Sequence, residues 1–163
     1  MKIFIFPDSK SILMKIYIRD GQKADIPGIV EFQIAMAKET ESLDLDKSAV
    51  NKGVRAVFDD SSKGRYFVAA EDDKLIASTL LTPEWSDWRN GFVYWLQSVY
   101  VLPEYRGKKV FSKMYAHIQN ISLKDEKIMG LRLYVDKTNH KAQKVYEKLG
   151  MDGSHYKLFE WMK

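Results

Sequence analysis

Residues 98–112 read Ser-Val-Tyr-Val-Leu-Pro-Glu-Tyr-Arg-Gly-Lys-Lys-Val-Phe-Ser. An apolar, β-prone run meets Pro103, which cannot donate to a ladder and so ends the strand. A short loop carrying Arg106 and Gly107 follows. Then Val110, Met114, Ile118 and Ile121, at helical spacing, predict a helix from about Gly107 to Leu123. The first amides of a helix lack intrahelical acceptors, and with the helix dipole they form a cradle for an anion. Arg106, Lys108 and Lys109 add positive charge at the same spot. A phosphate or pyrophosphate is the natural occupant. On spacing alone, a solvated basic turn capping the helix explains the pattern equally well.

Working outward, a long strand over Phe92–Val101 leads into this segment, after a polar, aromatic loop at 83–91. Tyr66–Ala70 and Leu75–Leu81 are two more strands around the Asp72-Asp73 turn. Near the amino end, residues 12–18 (ILMKIYI) alternate as a strand does, and Asp20-Gly21 closes it. Asp25 then reads as the N-cap of a helix through Lys38, with Pro27 in its first turn. A second helix, 46–58, places Val50, Val54, Val57 and Phe58 on one face. Downstream, residues 128–135 (IMGLRLYV) read as a strand. A short helix then carries Ala142, Val145, Tyr146 and Leu149 on one side and ends at Gly150. Residues 155–162 can make one last strand. The predicted order is β-α-α-β-β-β-α-β-α-β, an α/β class of fold. We expect one domain over 14–163, with 1–13 as an extension whose role stays open between a late start at Met14 and an added swapped or edge strand.

The 163 residues suit a single domain. At 45% hydrophobic and 29% charged, the chain is neither disordered nor collagen-like. With 26 Lys and Arg against 22 Asp and Glu, the net charge of +4 permits an anionic ligand without demanding one. Both signs are interspersed, so no nucleic-acid partner is expected. The absence of cysteine excludes disulfides, Cys-ligated zinc and a thiol nucleophile, and makes the cytoplasm the default expectation. No apolar run approaches the ~20 residues of a bilayer crossing, and MKIFIF falls short of a signal-peptide core, so no membrane is expected. His117, His140 and His155 lack ligand spacing, so no metal is expected either.

A second constellation lies at 139–151, NHKAQKVYEKLGM, where Asn139, Ala142 and Tyr146 share one helical side. Alone it reads as an amphipathic helix with Tyr146 in the core. Paired with VYVLPEYRGKKVFSKMY (99–115), it resembles the GCN5-related N-acetyltransferase (GNAT) family over roughly residues 14–162. That family's acyl-CoA loop, Gln/Arg-x-x-Gly-x-Gly/Ala, falls on Arg106 to Phe111. Its second motif, Asn-x-x-Ala-x-x-x-Tyr, falls on Asn139, Ala142 and Tyr146. The tract WSDWRNGFVYWLQSVYV (85–101) is similar to a bacterial subgroup. Lys109 stands where the loop pattern has glycine, and Phe111 where it has Gly or Ala. Lysine keeps its N–H and adds charge, and the Phe111 ring is expected to turn into the helix–sheet core.

The resemblance implies a mixed, mostly antiparallel central sheet with helices on both faces. In it the fourth strand splays from the fifth, and the pantetheine of acetyl-CoA lies in the gap. It implies that the backbone of Val99, Tyr100 and Val101 pairs with the pantetheine amides. The Val99 N–H then faces the thioester carbonyl as an oxyanion-type donor. Arg106, Gly107, Lys108, Lys109, Val110, Phe111 and Ser112 hold the pyrophosphate, and Asn139 contacts the pantetheine arm. Tyr146 gives its proton to the departing CoA thiolate. The acetyl group passes directly from acetyl-CoA to an amine, with no covalent enzyme intermediate and no metal. A homodimer is a further expectation by resemblance.

The acceptor side is less specific. Residues 93–99 (VYWLQSV) hold no carboxylate. The nearest acidic candidates are Glu84 and Asp87 in the aromatic loop and Glu39 or Glu41 between the first helices. Each is as simply read as a surface residue, and a water-mediated route for the proton stays open. Trp85, Trp88, Tyr94 and Trp95 form either an aromatic wall for a flat or cationic acceptor or ordinary hairpin packing. Glu84, Trp85, Asp87 and Trp95 are therefore the candidate acceptor residues. The basic run Lys137, His140, Lys141 and Lys144 reads as a solvated helix face with one lysine in reach of the 3′-phosphate of CoA. Acetylation of a small-molecule amine is the leading expectation. Its rivals are peptide or protein N-acetylation and a non-catalytic acyl-CoA-binding module.

Overall fold

The computed structural model describes residues 15–163. The 1–13 extension and residues 12–14 of the first expected strand lie outside the described residues. Among the described residues five strands form one sheet in sequential order: β1 (Ile16–Asp20), β2 (Arg65–Glu71), β3 (Lys74–Ser86), β4 (Gly91–Val101) and β5 (Ile128–Arg132). Neighbours run antiparallel except β4 and β5, which are parallel. The described residues also hold four α-helices: α1 (Ile26–Glu41), α2 (Lys47–Asp59), α3 (Val110–Lys124) and α4 (His140–Lys148).

The period-2 alternation of β2 divides the molecule into two layers. Tyr66 and Val68 point to one face, where α1 and α2 cover them with Ile26, Ile29, Val30 and Val54. Phe67 and Ala69 point to the other, against Val110, Met114 and Ile118 of α3. Each fully buried side chain of this size contributes roughly 1.5–3 kcal/mol, so β2 at the centre ties both layers together. Leu149 and Met151, flanking the end of α4, pack on the α3 layer. Among the described residues no helix is long and apolar enough to cross a membrane.

Four expectations need correction. The expected loop at 83–91 is strand as far as Ser86. Pro83 is tolerated there because β3 has already run past β2, whose register ends at Arg65 opposite Leu81. The helix expected from Gly107 begins at Val110, after a 3-10 turn at Pro103–Tyr105. The strand expected over 128–135 stops at Arg132, where its ladder with β4 ends. The last strand, expected at 155–162, does not form: the segment has no regular secondary structure and no ladder partner among the described residues.

Asp25 occupies the expected N-cap position of α1, but its side chain does not cap the helix. It is buried, and the Arg19 guanidinium donates to both its oxygens at 2.6 and 2.9 Å, while the Gln22 amide donates at 2.7 Å. Burial alone raises a carboxyl pKa. Here the Arg19 and Gln22 hydrogen bonds, with the Arg19 charge, outweigh it and hold Asp25 below the usual carboxylate range. A depressed folded-state value contributes stability above the unfolded carboxylate pKa, and that stability is lost as pH falls through the folded value. Asp25→Ala is expected to cost about 2–3 kcal/mol in urea denaturation at neutral pH. The gap between variant and wild type should narrow as pH falls below 4 or so.

Candidate active site

The site begins where the sheet opens. The parallel register of β4 and β5 runs from Phe92 opposite Ile128 to Trp95 opposite Arg132 and stops. β4 continues to Val101, so the backbone of Val99, Tyr100 and Val101 has no partner from β5. On its other side β4 carries a bulge: Ser78 faces Tyr100 and Leu80 faces Gln97, which leaves Ser98 and Val99 opposite Thr79 alone. Ser98 takes a left-handed conformation at φ 50°. A bulge of this kind re-aims the strand and increases its twist. Its residue is a serine rather than a glycine, so nothing in the sequence signalled it.

Beyond Val101 the chain turns tightly into α3. Gly107 is left-handed at φ 76°, and Lys109, the N-cap of α3, is left-handed at φ 60°, ψ 23°. The amides of Gly107, Lys109, Val110, Phe111 and Ser112 have no acceptor among the described residues. Lys108 lies over the Tyr105 ring at 5.1 Å. Arg106 is held back from this row. It donates to the Val101 carbonyl at 2.9 Å and to Glu39 at 2.6 Å, and stands over the Tyr100 ring at 5.5 Å. The Tyr100 hydroxyl donates to the other Glu39 oxygen at 3.0 Å. Burial, with this bond to Glu39, raises the Tyr100 pKa.

The second motif meets the first through Phe111, whose ring stands edge-on to Tyr146 at 5.5 Å between centroids. As expected, Phe111 packs against the α3 core. Tyr146 is half-buried, and burial raises its pKa, so the phenol keeps its proton at neutral pH. Its hydroxyl makes no hydrogen bond among the described residues. Asn139 lies at the N-cap of α4, where its side-chain oxygen accepts from the Ala142 amide at 3.1 Å. The NH₂ group of Asn139 makes no hydrogen bond among the described residues and is left for a ligand. Gln143 fixes the preceding loop by donating to the carbonyls of Asp136 and Lys137 at 3.1 and 2.9 Å. Left-handed Gly150 closes the helix: its amide reaches the Glu147 carbonyl, and that of Met151 reaches Tyr146.

Between the end of α1 and the β5–α4 loop lies a cavity of about 310 Å³, lined by Glu39, Thr40, Glu41, Asp136, Thr138 and Asn139. The hydroxyl and amide of Thr138 donate to Asp136 at 2.5 and 2.6 Å and hold its carboxyl below the usual range. Glu84 and Trp95 come together at the last rung of the β4–β5 ladder. Trp95 donates to one Glu84 oxygen, Arg132 donates to the other at 2.7 Å, and Tyr134 stands beside the Trp95 ring. Trp85 and Asp87 are not brought to the opening. They lie at the β3–β4 turn, with Trp85 opposite Phe92, roughly 20 Å along β4 from Val99. A larger cavity of about 470 Å³, among Gly21, Phe58, Tyr66 and Asp125, is lined by Tyr94 but by none of the expected cofactor, catalytic or candidate acceptor residues.

Residues 33–151 match the model of the acetyltransferase (GNAT) family. The chain belongs to this family. GNAT enzymes draw the acyl group from acetyl-CoA, and this chain is an acetyl-CoA-dependent N-acetyltransferase. It is 44% identical to a possible acetyltransferase from Clostridium difficile 630, with 91% of this chain and 97% of that one covered and a TM-score of 0.84. Two more distant structures share the fold. Glucosamine-6-phosphate N-acetyltransferase from Arabidopsis thaliana is 16% identical, with 91% and 99% coverage and a TM-score of 0.71. AAC(6')-Iy, solved with the bisubstrate analogue CoA-S-monomethyl-acetylneamine, is 18% identical, also with 91% and 99% coverage and a TM-score of 0.71.

Within the GNAT loop pattern, Lys109 keeps the left-handed backbone for which glycine is the usual choice. A left-handed non-glycine residue costs roughly 1–2 kcal/mol, and glycine returns about 0.5–1 kcal/mol of that as lost chain entropy. Lys109→Gly is therefore expected to stabilise the protein by up to ~1 kcal/mol in urea denaturation, while β-branched Lys109→Val destabilises it by about as much.

Proposed function

We propose that this GNAT enzyme acetylates a small cationic amine held in the acidic cavity between α1 and the β5–α4 loop. That cavity is the observation that supports the reading. At about 310 Å³ it is on the scale of a small-molecule site, and Glu39, Glu41 and Asp136 line it. Glu41 and Asp136, beside a Glu39 already paired with Arg106, attract a protonated amine and suit a polyamine or amino sugar better than an extended peptide.

Acetyl-CoA supplies an acetyl group activated as a thioester. The residues present fit such a donor: a row of amides without acceptors, Lys108 and Lys109 beside them, and a strand edge without a partner. In the proposed assignment the amides of Gly107, Lys109, Val110, Phe111 and Ser112 hold the pyrophosphate, with the Lys108 side chain adding charge beside them and Arg106 at the rim. Val99, Tyr100 and Val101 offer backbone partners to the pantetheine, and Asn139 offers its NH₂ group. The Val99 N–H stabilises negative charge developing on the carbonyl oxygen. Tyr146 protonates the departing sulfur.

Glu39 and Glu84 are both committed to hydrogen bonds through both oxygens, so neither serves as the base. Glu41 lines the cavity without a cationic partner among the described residues, and its carboxylate takes the amine's proton through one water. Glu84 and Trp95, fixed by Arg132, wall the acceptor side, and Trp85 and Asp87 have no part in the proposed site.

Thiol release from acetyl-CoA, screened over polyamines, amino sugars and free peptide N-termini, tests the acceptor class. Turnover with peptides alone overturns the small-amine reading. Tyr146→Phe is expected to slow transfer by ~10²-fold or more while calorimetry shows unchanged acetyl-CoA affinity. An unchanged rate removes Tyr146 from the acid role. Because the Tyr146 pKa is raised, any loss of activity from its ionisation falls above pH ~10, and the Tyr146→Phe profile lacks that limb.

A further inference from the structure

One face of the sheet is left partly open where β4 meets β5. Cross-strand partners point to the same side, and Gln97 stands opposite Leu80, which packs under α1 and α2. Trp95, two residues earlier, shares that side and lies opposite Thr82 on β3 and Arg132 on β5. The two helices cover this face over β2, and α1 meets β4 at its far end, where Phe32 packs on the Tyr100 ring at 5.3 Å. Over the rungs before that end, Thr82, Trp95, Gln97 and Arg132 are all half-buried. Polar side chains on inner strands, reachable from solvent, make a floor rather than a core.

The floor is braced sideways. Gln97 donates to the Thr82 hydroxyl, while Trp95 and Arg132 donate to the two oxygens of Glu84. The Arg132 guanidinium also lies over the Trp95 ring at 5.7 Å. One Nη1–H is thereby used and one face covered, which fixes the plane of the group. Its Nε and Nη2 make no hydrogen bond among the described residues, and the side chain stays 34% exposed. The edge formed by Nε–H and Nη2–H matches the two oxygens of a carboxylate or phosphate, and a guanidinium already held in place loses little freedom in binding them. Because Glu84 balances the charge, this edge selects by hydrogen-bond geometry more than by net attraction.

We propose that Arg132 determines acceptor specificity by receiving an oxyanion, a carboxylate or phosphate, carried by the same molecule whose amine is acetylated. The inference rests on the small-amine reading of the acidic cavity and narrows it to amines with an oxyanion at their far end. The spacing suits it. At about 3.3 Å per residue, Val99 lies roughly 13 Å along β4 from Trp95, less what the bulge takes up, and the Arg132 side chain spans part of that distance. Glu41 and Asp136 draw the ammonium end, and Asp136 follows Arg132 by four residues, so opposite charges stand at the two ends of one path. An amine without an oxyanion leaves the Arg132 edge unmet when it covers the floor.

The test is selectivity, read by thiol release as kcat/KM for matched pairs of acceptors. The pairs are a length series of ω-amino acids against alkylamines of equal length, and an amino sugar with and without a phosphate. Wild type is expected to prefer the oxyanion-bearing member by about 10–100-fold, and the two kinds of pair tell carboxylate from phosphate. Arg132→Gln collapses that ratio toward unity, chiefly through KM, and Arg132→Lys, which keeps the charge without the fork, retains part of it. The ratio is taken within each variant, so lost stability does not imitate the effect. A residue that only braced the β4–β5 rung would lower both members of a pair alike. An unchanged ratio in Arg132→Gln therefore overturns the proposal, as does equal turnover of paired acceptors by wild type. Turnover of alkylamines and polyamines alone overturns it while the small-amine reading stands, whereas turnover of extended peptides alone overturns that reading and the proposal with it.

Discussion

The parallel ladder between β4 and β5 ends at Trp95 and Arg132, and the arrangement of the site follows from that ending. A buried backbone group needs a partner. Beyond Trp95, β4 runs on to Val101 without one on that side, so its edge is a row of unmet donors and acceptors. The last rung is secured by side chains: Glu84 receives Trp95 with one oxygen and Arg132 with the other, joining β3, β4 and β5 at one point. Three residues later the Ser98 bulge turns β4. Without the bulge, β4 would continue in register toward the chain after Arg132, and the opening would close.

The two sides of that opening are joined by charge. Glu39, near the end of α1, takes the Tyr100 hydroxyl and the Arg106 guanidinium, so one carboxylate connects the cavity, β4 and the loop before α3. Both partners of the Glu39–Arg106 pair are more than two-fifths exposed, and such pairs contribute only about 0–1 kcal/mol. Its effect is therefore positional. Arg106 is kept from folding over the free amides of α3, and the end of α1 is kept against the loop.

Much of this was legible in the sequence, because the hydrophobic period changes from 3.6 to 2 and back at each boundary. Pro103 and Gly107 marked the turn into α3, and Gly150 marked the end of α4. What escaped depended on contacts between distant residues. Glu39 and Arg106 are 67 positions apart, and no local pattern links them. Asp25 has the residue type and place of an N-cap, but Arg19 reaches it first. The left-handed turn at Ser98 is imposed by the mismatch of β3 and β4 rather than by its own preference. Residues 155–162 have the apolar and aromatic composition of a strand, yet a strand needs a partner segment, and none lies against them among the described residues.

Lys109 shows how a site can depart from its family's pattern and keep its geometry. The loop needs a left-handed residue so that the amides from Lys109 to Ser112 open outward together. Glycine meets that need with little strain, and lysine meets it at roughly 1–2 kcal/mol. Strain of this size persists where the surroundings over-determine the backbone. Here Val110 is fully buried in the α3 core one residue later, and the Lys113 amide bonds the Lys109 carbonyl at 3.1 Å. Helix packing thus forces the conformation, and the residue at that position is free to carry a charge. In the proposed assignment an ammonium beside a row of free amides adds to the attraction of that row for a phosphate, a gain at the ligand that glycine would not supply.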